Sequence, residues 1–285
     1  MIRRQFESVI GHQIIKLPSG SFFSAVINNS MKAYKRLFTF GCSFTNYDWP
    51  TWANIIAYDM TDVSFYNYGA SGLGNVAIQY LLLEADIVHT FNDDDLIIVN
   101  WTTWSREDRF CQARSGWLKG AGNVLNIQNR HYDQYMVEKY WSHENDIIKN
   151  ASAIISSNRL FNISYQVSLT NPMGFLSDDL DESNAKTIYA QSLRELNIST
   201  FAQSFDEYPF DPHPSIIAHM EHVADSIYST LGLTLSPQTI DYFDEYHKLI
   251  GAESEYDYAT HCEHVREIMN PRWGDETKRV KYNNV

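Results

Sequence analysis

A chain of 285 residues with 22 Lys and Arg against 35 Asp and Glu carries a formal net charge of −13. That acidity argues against sequence-independent nucleic-acid binding and against docking on anionic membranes, both of which need basic surface. The length and the 44% hydrophobic content suit one core-forming domain with extensions, need no disulfide or structural metal, and exclude global disorder.

Residues 1–30 carry turn signals (LPSGS, NNS) and only short apolar runs, and are expected to form an N-terminal extension. A domain over 31–235 then opens with a strand at Arg36–Phe40 (RLFTF) that ends at Gly41. A helix at Thr51–Met60, a strand at Val63–Tyr68 and a buried helix at Asn75–Val88 follow. Leu96–Trp101 (LIIVNW) is an unbroken apolar run of the kind a central parallel strand requires. Tyr132–Ser157 reads as one long polar helix, Phe161–Thr170 as a fourth strand, Ser183–Leu193 as a helix and Ser199–Gln203 as a short fifth strand. Pro214–Leu231 has Pro at its start and Gly232 just beyond its end, the favoured asymmetry of a helix. Residues 236–285 are expected to be a helical C-terminal extension, with helices at Thr239–Ile250 and Tyr256–Met269. Alternating strands and helices joined by short links predict an α/β fold with a parallel sheet, whose ligands bind at the carboxyl ends of the strands.

Cys42, Cys111 and Cys262 are odd in number and widely spaced, which fits a reducing compartment better than a disulfide framework. No window reaches the roughly 18 apolar residues of a membrane span, and MIRRQFESVIGHQ lacks the apolar core of a secretory signal. A cytoplasmic location is the expectation.

The loops at the carboxyl edge hold the chemistry-bearing residues. After the first strand comes Gly41-Cys42-Ser43-Phe44-Thr45, where a serine sits beside a glycine that permits a tight turn. A short helical turn there would aim backbone N–H groups at an oxyanion, although a serine is also an ordinary turn or cap residue. After the second strand, Gly69, Gly72 and Gly74 let the backbone approach a ligand closely. The loop reads as a phosphate cradle, as an N–H donor at Gly72, or as a plain turn; it does not match G-x-G-x-x-G. After the third, Asn100, Thr102 and Thr103 are polar where a buried strand ends, as donors into a site or as local caps. Near the end, Asp211-Pro212-His213-Pro214-Ser215 fixes one imidazole between two prolines, with an Asp placed to orient it. His213, His219 and His222 form one candidate metal cluster and His261, Cys262 and His264 another. Neither carries an H-E-x-x-H pattern, and no metal or other cofactor is expected.

The order of these blocks resembles the SGNH (GDSL-like) hydrolase superfamily. The likeness rests on Phe38–Thr45 (FTFGCSFT), Asn67–Asn75 (NYGASGLGN), Asn100–Asp108 (NWTTWSRED) and Asp211–Tyr228 (DPHPSIIAHMEHVADSIY), which frame the chain from Met31 to Leu231. GCSFT followed by Trp49-Pro50-Thr51-Trp52 is similar to SGNH-like proteins of bacteriophages and marine bacteria, which adds a virion-associated location to the expectations. The resemblance implies a three-layer α/β/α, flavodoxin-like fold with a five-stranded parallel sheet, and ester hydrolysis through an acyl-enzyme. Ser43 would be the nucleophile, His213 its base and Asp211 the residue orienting His213. The N–H groups of Ser43 and Gly72, with Asn100 or Thr102, would hold the oxyanion. Two departures stand out: the family's third block is usually G-x-N-D and its late block D-x-x-H, where this chain has Thr102–Trp104 and a two-residue spacing from Asp211 to His213. The expected activity is that of a serine esterase on a small carboxylic ester, with an O-acetyl group on a glycan as the family-level suggestion. A non-catalytic module of a viral assembly, built through 1–30 and 236–285 or as a homo-oligomer, is the alternative, and a nucleotide-binding protein the third reading.

Overall fold

The computed structural model describes residues 34–104, 106–111, 116–117, 133–140, 142–169, 192–196, 198–201 and 213–251. The expected extension at 1–30, most of the helix at Ser183–Leu193, Asp211, the helix at Tyr256–Met269 and the His261, Cys262, His264 cluster lie outside the described residues.

In chain order the elements are β1 (Arg36–Phe40), α1 (Trp52–Asp59), β2 (Ser64–Asn67), α2 (Asn75–His89), β3 (Asp95–Trp101), β4 (Phe110–Cys111), β5 (Gly116–Trp117), α3 (Gln134–Tyr140), α4 (His143–Leu160), β6 (Tyr165–Ser168), β7 (Ser199–Thr200), α5 (Ile216–His222) and α6 (Pro237–Gly251). From α5 the chain winds on through a π-helical stretch, Val223–Tyr228, and a last helical turn, Ser229–Leu231. Five strands form one sheet in the order β2-β1-β3-β6-β7, every neighbouring pair parallel. β4 and β5 make a separate antiparallel pair.

β1 sits between β2 and β3, with Arg36 opposite Ser64 on one side and Asp95 on the other. All seven residues of β3 are buried, as its apolar run requires of a central parallel strand. Alternation along the strands separates two cores. Leu37, Leu96, Ile98 and Val167 face α1, α5 and α6, while Phe38, Phe40, Ile97, Val99 and Trp101 face α2 and α4. The result is the expected three-layer α/β/α arrangement on an all-parallel sheet. Counting only its five strands, the order is 2-1-3-4-5, and the switch point falls between β1 and β3, where doubly wound folds open a ligand crevice.

Several boundaries differ from the sequence reading, each for a local reason. The long helix expected at Tyr132–Ser157 is two helices, because Ser142 takes extended backbone angles and its side chain accepts from Asn145 N, capping α4 anew. α4 runs on to Leu160, and the strand expected from Phe161 begins only at Tyr165, because Phe161 and Ile163 pack beside the core under α2 and α4 without joining the sheet. α6 is the helix expected at Thr239–Ile250, and its Phe243, Tyr246 and Ile250 are buried in the same core as α1 and α5. Asp59, at the end of α1, fastens it: the carboxylate accepts from Tyr228 OH at 2.9 Å, Ser236 N at 3.0 Å and Thr239 Oγ1 at 2.7 Å. Among the described residues no helix is long and apolar enough to cross a membrane.

Candidate active site

Ser43 lies just beyond the end of β1, in a tight turn closed by Thr45 N and Asn46 N, which both donate to Cys42 O at 3.0 and 3.3 Å. Gly41 makes the turn possible by leaving no side chain. A Cβ there would overlap Thr45 Oγ1 and stand 2.9 Å from Asn100 O on the neighbouring strand. The turn is tied to its surroundings: Thr51 Oγ1 and Asn67 Nδ2 both donate to Thr45 O, at 2.8 and 3.1 Å. Ser43 itself is 6% exposed.

His213 approaches from the opposite end of the sequence. Ser215 caps α5 by accepting from Ala218 N at 3.1 Å, and Trp49 Nε1 donates to Pro214 O at 2.8 Å, so the backbone on the C-terminal side of the histidine is held. The ring is boxed by aromatics. Tyr47 stacks on it with centroids 3.8 Å apart and planes 20° apart, while Phe44 and Trp49 meet it edge-on at 5.4 and 6.4 Å. His213 Nε2 lies 2.8 Å from Ser43 Oγ, although 170 positions separate the two residues in sequence. With the proton on Nδ1, Nε2 accepts the Ser43 hydroxyl hydrogen, the geometry a general base needs.

The glycine-rich turn after β2 is drawn against the serine turn. Ala70 N donates to Gly41 O at 3.1 Å and Asn46 Nδ2 to Gly69 O at 3.0 Å. Gly72 is buried on this turn with φ 80°, a left-handed angle that favours glycine. The loop after β3 is anchored by α2 and α4: Asn75 accepts from Thr102 N at 2.8 Å and donates to Thr102 O at 3.1 Å, and Asn150 Nδ2 donates to Trp104 O at 2.9 Å. Asn100 is 0% exposed, and neither its Nδ2 nor its Oδ1 has a hydrogen-bond partner among the described residues. By alternation with Leu96 and Ile98 it points to the face covered by α1 and α5, the side from which His213 comes. Thr102 Oγ1 is likewise buried without a partner among the described residues. Thr103 is half-buried.

Among solved structures, the chain is similar to a member of the lipolytic protein G-D-S-L family from Veillonella parvula DSM 2008, at 16% identity over 62% of this chain and 79% of that one, with a TM-score of 0.30. A likeness at that score carries no argument of its own about chemistry. No family model and no curated protein matches the chain.

Of the residues singled out in the sequence, Ser43 and His213 meet directly, and the turns bearing Ser43 and Gly72 are bonded to each other. Tyr47 and Trp49 went unassigned by sequence reasoning, since ring stacking across separate loops leaves no periodic trace. His219 and His222 turn inward. Burial holds the His219 imidazole well below its ordinary pKa, with His222 and His213 adding to the effect, and burial lowers His222 to about 4. His222 packs on the Phe201 ring at 4.0 Å. His219 Nδ1 and His222 Nε2 have no hydrogen-bond partner among the described residues, as suits neutral rings in an apolar wall. No group of three metal-ligating side chains occurs among the described residues.

Proposed function

We propose that this chain is a serine esterase of the SGNH (GDSL-like) type, acting on small carboxylic esters through an acyl-enzyme on Ser43. The observation that carries the reading is the 2.8 Å contact between Ser43 Oγ and His213 Nε2 at the carboxyl edge of the sheet. Ser43 Oγ attacks the acyl carbon while its proton passes to His213 Nε2. The carbonyl electron pair becomes an oxyanion held by the N–H groups of Ser43 and Gly72. Asn100 Nδ2 is the third donor: a buried amide with no hydrogen-bond partner among the described residues costs about 1–3 kcal/mol, which a role in holding charge would explain. Collapse of this intermediate expels the alcohol, to which His213 returns the proton. Water, deprotonated in turn by His213, then cleaves the acyl-enzyme to the acid and free serine. Asp211 orients His213 in this scheme. An O-acetyl group on a glycan is the substrate we place first among small esters.

Hydrolysis of p-nitrophenyl acetate and of acetylated sugars tests the reading. Ser43→Ala and His213→Ala should each lower kcat about 10⁴-fold or more, with an unchanged melting temperature. A wild type that hydrolyses no ester, or variants as active as wild type, would leave the non-catalytic module as the better account.

A further inference from the structure

Arg106 and Asp108, which close the third block, do work that the scheme above leaves unassigned. Asp108 reaches across to the start of α2. Its Oδ1 accepts from Gly74 N at 2.7 Å and its Oδ2 from Ala77 N at 2.9 Å. Arg106 Nη1 donates to Leu73 O at 2.8 Å from the same side. The fit is close: a Cβ on Gly74 would stand 2.5 Å from Asp108 Oδ2, so only glycine lets the carboxylate in. Both carbonyl and N–H of the Leu73–Gly74 peptide are therefore gripped by side chains from the β3 loop, two peptides on from the one that carries the Gly72 N–H.

We propose that Arg106 and Asp108 are positioning residues, which clamp the Leu73–Gly74 peptide and thereby aim the Gly72 N–H at the acyl oxygen during ester hydrolysis. The inference rests on the esterase reading above. It couples the third block to the second, and it gives a purpose to a charged pair that touches neither Ser43 nor His213 in any bond described above. A capping carboxylate at a helix start is commonplace; a second grip on the preceding carbonyl is what turns a cap into a clamp on the turn.

The clamp also has a titration that makes it visible. Burial raises the Asp108 carboxyl to about 6, against the lowering effect of the Ala77 and Gly74 N–H bonds and of Arg106; Glu107 adds to the rise. The other charged groups nearby are Glu84 of α2, which lines the same groove as Asp108, Arg109, which pairs with Glu107, and Lys149 of α4, which pairs with Glu107 and Asp146. At neutral pH the carboxylate holds both N–H groups. Below about pH 6 it takes up a proton and gives up part of its accepting power.

The test reads the loop and the chemistry separately. Amide ¹H–¹⁵N spectra of the wild type and Asp108→Asn would be followed from pH 4.5 to 8, beside kcat and KM for p-nitrophenyl acetate. The clamp predicts that the Gly72 and Gly74 amides shift with a midpoint near pH 6 in the wild type and stay still in the variant. It also predicts a kcat lowered about tenfold to a hundredfold with KM within about twofold, because a donor misplaced by a fraction of an ångström acts on the transition state. Gly74→Ala, which pushes the carboxylate away from the other side, should give the same split if Asp108→Asn does not fold. Amides that ignore pH, or variants that lose melting temperature while keeping kcat, would overturn the proposal. Titrating amides in a wild type that cleaves no ester would instead sink the esterase reading and leave the clamp as a purely structural cap.

Discussion

At the scale of single residues, the site is a set of side chains whose costs are visible. Asn100 hides an amide with neither atom paired among the described residues. If that amide serves the oxyanion, Asn100→Ala lowers kcat about 10²–10³-fold. Because the amide makes no hydrogen bond among the described residues, the same change should alter stability by less than a comparable cut in the core. Steady-state kinetics beside urea unfolding separate the two; a variant with full kcat and lower stability would assign Asn100 to packing. His222 carries a different signature. Its folded pKa of about 4 lies below the ordinary 6.5, so the folded state binds fewer protons than the unfolded one. Its contribution is present above pH 6.5 and is lost as pH falls toward 4, to the extent of roughly 3 kcal/mol. Asp108 has the opposite sign, since its raised pKa favours folding as pH falls through 6. His222→Phe keeps the ring against Phe201 and removes the titration. The melting curve of this variant should therefore lose stability less steeply than the wild type between pH 6.5 and 4, and parallel curves would refute the buried neutral imidazole.

At the scale of elements, the question is what delivers His213 to Ser43 across the whole chain. α5 does so, and α5 is fixed to α1 and α6 through the Asp59 carboxylate and the core residues Tyr228, Phe243 and Ile250. Asp59→Ala strands the buried Tyr228 hydroxyl and frees Ser236 N and Thr239 Oγ1. We expect a loss of about 3 kcal/mol in urea unfolding; a change below about 1 kcal/mol would show that apolar packing alone seats α6. Much of this scale was readable from sequence. β1, β3 and α2 matched their apolar patterns within a residue or two, because burial on both faces or on one stripe leaves a strong periodic mark. The break between α3 and α4 was hidden because Ser142 opens the polar run Ser142–Asp146, where one cap residue leaves no mark in the apolar periodicity. The true start of β6 was hidden for a related reason: apolar Phe161 and Ile163 fill the space beside the second core without joining the sheet.

For the molecule as a whole, parallel strand order does the organising. Placing β1 between β2 and β3, beside the switch point, brings the ends of three strands to one edge, and the residues collected there come from blocks spread over more than half the chain. The sequence could reveal Ser43 and His213 because a serine after a first strand and a proline-flanked histidine before a last helix are local patterns. It could not reveal Tyr47 stacked on His213, or Arg106 and Asp108 gripping Leu73 and Gly74, because those pairings exist only once the loops meet. The apolar positions of the expected extension after residue 235 look the same in sequence whether they cover a domain or a partner; in α6, Phe243, Tyr246 and Ile250 lie in the core.

The central claim is that Ser43 is a nucleophile armed by His213. The most direct measurement is to treat the wild type, Ser43→Ala and His213→Ala with a fluorescent fluorophosphonate, then map any adduct by peptide mass spectrometry. The account predicts a single adduct on Ser43 in the wild type, none in Ser43→Ala, and labelling slowed by orders of magnitude in His213→Ala. A folded wild type that takes up no probe, or an adduct on another residue that survives Ser43→Ala, would contradict it.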